Sequence, residues 1–95
     1  AMVLKERAQA GSLESSDCLV SVEPAGEGLG LQLSVRSIVM NQFGEAIREV
    51  ARETLEAAGV RDALVDINDR GALDFVIRAR LRTALERAGM KEPIP

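Results

Sequence analysis

Histidine is missing from this chain of 95 residues, and so are tryptophan and tyrosine. Without histidine, the chain lacks the commonest general base at neutral pH and the commonest zinc ligand. Its two aromatic residues, Phe43 and Phe75, offer little surface for stacking nucleic-acid bases. We therefore expect a protein that has no catalytic residue and no metal ligand of its own.

Positive charge and cysteine are also scarce. Lys and Arg number 12 against 15 Asp and Glu, which argues against a nucleic-acid partner because phosphate contacts need a basic surface. The single cysteine, Cys18, has no partner for an intrachain disulfide, which fits a reducing compartment. Residues 1–10 lack the apolar core of a signal peptide, and no run approaches the roughly 18 apolar residues of a membrane span. We expect a cytoplasmic location and no membrane partner.

The residues that are present predict three strands and two helices. Apolar side chains alternate over 18–23, 31–36 and 63–68, and they recur with helical period over 37–58 and 72–88. The glycine-containing connection between the first two strands predicts an antiparallel hairpin, while the pairing direction of the third strand stays open. The order β-β-α-β-α predicts an α+β fold, in which a small sheet of about three strands carries two helices on one face.

The helical pattern also predicts which residues are buried and where the first helix begins and ends. Ser37 or Asn41 is expected to cap the first helix, and Gly59 to end it. The buried stripe of the first helix is predicted to be Phe43, Ala46, Ile47, Val50, Ala51, Leu55 and Ala58. The stripe of the second helix is predicted to be Leu73, Val76, Ile77, Leu81, Ala84 and Leu85.

We divide the chain into three parts. Residues 1–16 are polar and rich in small side chains, which predicts an irregular, flexible leader. Residues 17–90 are predicted to form a single folded domain, whose last helix ends at Gly89, and residues 91–95 a short tail that contains two prolines.

Two features resemble chemical motifs but lack residues that those motifs require. The segment Asp66–Gly71 has the start of a calcium loop, but Arg70 and Ile77 occupy positions where oxygen ligands are required. Cys18 has no histidine to activate it and lies on the inward side of a predicted strand, so core packing is the favoured interpretation.

Arginines of the last helix allow two interpretations. Arg78 and Arg82 lie one turn apart, and Asp74 and Glu86 are spaced to form ion pairs with them. The face is either a solvated, ion-paired surface or a docking site for phosphates or an acidic partner. With Glu45 and Arg48 it is our expected docking surface for partner subunits.

The serine-rich segment Gly11–Asp17, GSLESSD, also allows two interpretations. It is either a turn held by its own side chains or a site that another enzyme modifies. A hydroxyl that must enter the cleft of a modifying enzyme has to be exposed and unbranched, and serine meets both needs. Glu14 and Asp17 would supply a charge tag for that enzyme.

Three blocks resemble the acyl carrier proteins of citrate lyase. The run AGSLESSD, Ala10–Asp17, is similar to the modification segment of that family. Two further blocks agree: QFGEAIR at 42–48, and DRGALD at 69–74 followed by IRARL at 77–81. They lie in the family's order and span most of the chain.

This resemblance implies a carrier role for the chain, with its attachment site in the leader. Ser15, after Leu-Glu, would bear 2′-(5″-phosphoribosyl)-3′-dephospho-CoA through a phosphodiester bond, with Ser16 as the fallback. The arm would hold acetyl or citryl thioesters while a transferase (α) subunit exchanges them and a lyase (β) subunit cleaves citrate to oxaloacetate and acetate. A separate prosthetic-group transferase would load the serine. The alternatives are a carrier of citramalate lyase or malonate decarboxylase, or an unmodified scaffold subunit.

Overall fold

A computed structural model describes residues 3–89, so the predicted tail at 91–95 lies outside the described residues. The described part has four strands and two helices, which confirms the predicted α+β class. Neither of these helices is long and apolar enough to cross a membrane. The elements are β1 (Ala8–Gly11), β2 (Cys18–Pro24), β3 (Leu31–Ser37), α1 (Met40–Ala57), β4 (Ala63–Asp69) and α2 (Asp74–Arg87).

The four strands form one mixed sheet in the order β1-β2-β4-β3. β2 pairs antiparallel with β1 and β4, while β3 and β4 pair in parallel. The predicted hairpin of β2 and β3 is therefore wrong, because β4 lies between them. Helix α1 joins β3 to β4, and parallel neighbours need a crossover of this kind.

The first strand lies inside the segment that the sequence analysis assigned to an irregular leader. Ala8 pairs with Val22 and Ala10 with Val20, and Ala10 is buried. Leu4 is buried as well. Residues 8–11 thus belong to the sheet, and a strand of only four small or polar residues carries too little hydrophobic alternation to be recognised. The boundaries of the three predicted parts otherwise stay predictions.

Both helices cover the same face of the sheet. Helix α1 packs on β3, helix α2 packs on β1 and β2, and the helices contact each other. Alternate strand residues point into the core between the two layers, and β4 contributes most regularly. The largest completely buried apolar side chains are Leu55, Ile67, Ile77, Leu81, Leu85, Val20 and Val22.

The start of α1 differs from the prediction, while Gly59, which follows the C-cap Ala58, behaves as expected. The N-cap is Val39, and no described residue supplies a side-chain cap. Ser37 lies two residues before the N-cap, where its hydroxyl donates to Asp69 at 2.7 Å and accepts from the amide of Val39 at 3.1 Å. Asn41 is not the cap because it lies within the helix. Gly59 has φ +76°, the left-handed conformation that commonly ends a helix.

Three residues of the predicted apolar stripes are exposed. Phe43 and Leu73 keep 51% and 64% of their surface accessible, and Ala46 is exposed as well. All three lie near the N-termini of the helices, where they line an open pocket instead of the core. The helical period identified the correct side of each helix, but it did not show where the sheet beneath it ends.

Two substitutions on β4 test this layer arrangement. Ile67 faces the helices and is completely buried, whereas Leu64 lies on the other face and is half-buried. We expect Ile67→Ala to lower the free energy of unfolding by about 2–5 kcal/mol, because it leaves a cavity. Leu64→Ala should cost clearly less in the same urea titration. Equal losses would contradict a one-sided helix layer.

Candidate modification site

The serine-rich segment forms a loop that joins β1 to β2. The amide of Ser12 donates to the carbonyl oxygen of Cys18 at 3.1 Å, which closes the loop at its base. Gly11, just before it, has φ +95°, and a side chain there would collide with the same carbonyl. Glycine is therefore required at the entrance of the loop, for backbone conformation and for space.

Ser12 is engaged inside the loop. Its hydroxyl donates to Asp17 Oδ2 at 2.7 Å and accepts from the amide of Glu14 at 3.2 Å. The amide of Asp17 in turn donates to the carbonyl of Glu14 at 3.2 Å. These hydrogen bonds form the turn that the small polar side chains predicted, and Ser12 is half-buried in it.

Ser15 and Ser16 are both exposed, but they are held differently. The amide of Ser16 donates to the carbonyl of Arg70, and the amide of Arg70 donates to the carbonyl of Asp17, each at 2.9 Å. Ser16 also has φ +65°, which is uncommon for a residue with a side chain. Neither serine makes a hydrogen bond to a described residue through its hydroxyl, so the two differ in backbone conformation and in the amide bond of Ser16. The loop thus presents Ser15 with a free hydroxyl on an anchored backbone.

The anchor on the body of the protein is an ion pair between Asp17 and Arg80 of α2. Arg80 donates from Nε to Asp17 Oδ1 at 2.9 Å and from Nη2 to Oδ2 at 3.2 Å. Oδ1 also accepts from the amide of Cys18 at 2.7 Å. The Arg80 hydrogen bonds lower the pKa of Asp17 to about 2, against the opposing effect of partial burial and with help from Ser12 and Cys18. The carboxylate of Asp17 is engaged within the protein, so Glu14 is left as the exposed carboxylate of the loop.

Local spacing does not reveal this pair, because its members are 63 residues apart. That spacing predicted pairs of Arg78 with Asp74 and of Arg82 with Glu86, and neither forms within residues 3–89. The ion pairs in this part of the chain are Arg7–Glu23, Arg36–Asp66, Arg52–Glu49 and Arg80–Asp17.

A second carboxylate, which is fully buried, supports the neighbouring turn. Asp69, at the end of β4, accepts from the hydroxyl of Ser37 at 2.7 Å and from the amides of Gly71 and Ala72 at 3.1 and 2.9 Å. Only 1% of its surface is accessible. Asp69 therefore ties the end of β3 to the turn before α2, immediately beside Arg70, which holds the serine loop.

Cys18 is completely buried on the core side of β2, which confirms the core-packing interpretation. Burial raises the pKa of its thiol to about 11, and the nearby charges of Asp17 and Asp69 act in the same direction. Because the thiolate is the reactive form, Cys18 is inert at neutral pH.

The small two-layer body with an exposed serine on an anchored loop has the form of a carrier rather than an enzyme. The family described as acyl carrier protein, malonate decarboxylase delta subunit, matches residues 5–88. The citrate lyase acyl carrier protein of Vibrio cholerae is 54% identical over 87 residues, covering 92% of this chain and 88% of that protein. The one from Halothermothrix orenii is 44% identical over 87 residues, with 92% and 90% covered.

The fold has a match among solved structures. A chain of a Pseudomonas malonate decarboxylase hetero-tetramer, solved in complex with malonate, superposes with a TM-score of 0.72 at 26% identity. The match covers 92% of this chain and 88% of that chain. This protein belongs to the acyl carrier protein family defined by these relatives, as its three sequence blocks predicted.

Titration of Asp17 tests the ion pair. Because its pKa is lowered in the folded state, its contribution to stability is present above the ordinary value of 3.8 and is lost as the pH falls towards 2. In Arg80→Gln we expect the NMR midpoint of the Asp17 carboxyl carbon to rise from about 2 towards 3.8. Arg82→Gln, on the same helix, is the control and should leave it near 2. An unchanged midpoint in Arg80→Gln would refute the ion pair.

Alkylation tests the burial of Cys18. We expect iodoacetamide at pH 8 to modify the folded protein at least about 100-fold more slowly than the urea-unfolded protein, because thiolate is scarce and inaccessible. The measurement is the mass increase over time. Comparable rates in the two states would show that the thiol is accessible.

Proposed function

We propose that this chain is the acyl carrier subunit of a citrate lyase and that Ser15 is its attachment residue. The observation that carries the proposal is the exposed Ser15 hydroxyl, free of hydrogen bonds to described residues, on a loop whose backbone is anchored. The names of the relatives at 44–54% identity supply the citrate lyase context. The proposed group is 2′-(5″-phosphoribosyl)-3′-dephospho-CoA, joined through a phosphodiester bond.

The residues of the loop fit this group. The two hydrogen bonds of the Ser12 hydroxyl disfavour it as the attachment site, and Ser16 is tied to Arg70 through its amide. A modifying enzyme can reach the Ser15 hydroxyl without breaking the Asp17–Arg80 pair. Attachment forms a bond from Ser15 Oγ to phosphorus while the leaving group departs from an activated precursor. The enzyme itself must take the hydroxyl proton, because this chain has no histidine and the described residues place no base on Ser15.

This role assigns the chemistry to partners. When bound, the group supplies a thiol that holds acyl groups on a long arm. The chain's own residues present that arm from a fixed point, which raises the effective concentration of the acyl group near the catalytic subunits. We propose as partners a transferase (α) subunit, a lyase (β) subunit and a separate prosthetic-group transferase, all in the cytoplasm.

Malonate decarboxylase is the nearest rival complex. The family description and the hetero-tetramer favour it, but that structure is only 26% identical to this chain. The citrate lyase relatives are closer, at 44–54% over nine-tenths of the chain. An unmodified scaffold is the other rival, and it would need no exposed hydroxyl.

Intact-mass spectrometry with peptide mapping tests the attachment. Wild type, Ser15→Ala and Ser16→Ala are incubated with the prosthetic-group precursor and its transferase. We expect one adduct on wild type and on Ser16→Ala, and complete loss in Ser15→Ala, because the nucleophilic oxygen is gone. An adduct on Ser15→Ala would move the site to another residue, and no adduct on any form would favour the scaffold.

A further inference from the structure

A pocket of about 270 Å³ opens between the N-terminal ends of α1 and α2. Its apolar lining includes Val39, Phe43, Ala46, Ile47, Ala72 and Leu73. Phe43 and Leu73 are more than half exposed, and so is Ile38, which lies next to Gly71. Concentration of large apolar side chains around one concave site indicates a binding role, since a small protein gains stability by burying them.

The pocket adjoins the serine loop. Arg70 exchanges two backbone hydrogen bonds with Ser16 and Asp17, and the next two residues, Gly71 and Ala72, already line the pocket. Consecutive Cα atoms are about 3.8 Å apart, so its wall begins within a few ångströms of the loop's anchor. A flexible group attached to Ser15 starts beside this opening.

The polar groups at the opening define what it accepts. At the start of α2, the amides of Asp74 and Phe75 donate to no described residue, so they are left as donors, as at any uncapped N-terminus. Among residues 3–89, no Lys or Arg lines the pocket, whereas Asp69 and Asp74 do. A helix N-terminus with free amides attracts anions, but the carboxylates of Asp69 and Asp74 at the opening oppose a phosphate. The site therefore suits an uncharged chain with apolar and carbonyl groups.

We propose that this pocket receives the uncharged pantetheine portion of the group attached to Ser15, so that the thiol end rests on the carrier between visits to partner subunits. The inference rests on the proposed function, because it requires the arm on Ser15. The apolar methylene and methyl groups of the arm would contact Phe43 and Leu73, and its amide carbonyls would accept from free helix amides. The phosphates would stay outside, near Ser15.

The concave shape and the shared anchor favour this occupant over a docking protein. A partner protein would need a broad contact surface, whereas this apolar site is a small depression with a volume below that of most drug-sized ligand pockets. Its wall and the Ser15 loop meet at the same backbone segment, Arg70–Ala72. The covalent attachment also gives the arm a high local concentration, so weak contacts are sufficient.

The test compares unmodified and loaded full-length chains by methyl and amide NMR, with loading at Ser15 verified by mass. Ala46→Phe fills the pocket. Ala57→Phe is the matched control, since Ala57 is also exposed on α1 but lies in its last turn. We expect loading to shift the signals of Ala72 and Leu73 in wild type and in Ala57→Phe. These shifts should be lost in Ala46→Phe.

Three results would overturn the inference, and they are distinguishable. Shifts confined to the Ser15 loop of a verified adduct would show that the arm stays in solvent. Shifts at Ala72 and Leu73 that appear only after catalytic subunits are added would make the pocket a docking site for those subunits. Absence of the adduct by mass would refute the proposed function itself and, with it, this inference.

Discussion

The pairing of β4 with two neighbours is the interaction on which the rest of the structure depends. This strand lies between β2 and β3, and its core-facing residues, from Ala63 to Asp69, are buried along its whole length. Its last residue, Asp69, binds Ser37 and the turn before α2, and the following Arg70 holds the serine loop. The end of β4 therefore connects the hydrophobic core to the N-termini of both helices and to the proposed site.

The serine loop combines an exposed side chain with a restrained backbone. Fixing a residue's backbone costs about 1–2 kcal/mol of conformational entropy, so the loop needs several compensating contacts. The Asp17–Arg80 pair, the Ser12 hydroxyl and the Arg70 backbone provide them. The exposed hydroxyl of Ser15 takes no part in these contacts, which suits a residue that another enzyme must reach. Under the proposed attachment at Ser15, the reach of the arm, rather than movement of the loop, would determine which partners it serves.

Local patterns predicted most of the helices and strands of this fold but not the order in which the strands pair. Alternation located β2, β3 and β4 and placed Cys18 in the core, and helical period located both helices. The same alternation could not show that β4 separates β2 from β3, because it specifies which face a residue occupies and not which strand lies beside it. β1 was missed because its residues, AQAG, are small or polar. Phe43 and Leu73 were predicted to be buried but are exposed, because periodicity does not reveal where a helix extends past the sheet on which it packs.

The sequence by itself determined the α+β class, the family and the prediction of Ser15, because hydrophobic period and short motifs are properties of neighbouring residues. Only the tertiary structure decided the partners that lie far apart in the chain. Arg80 meets Asp17 across 63 residues, and Ser37 meets Asp69 across 32. Such pairs depend on how the helices and strands pack, and no local spacing encodes them. The pocket beside the loop arises in the same way, from two helix ends that the fold brings together.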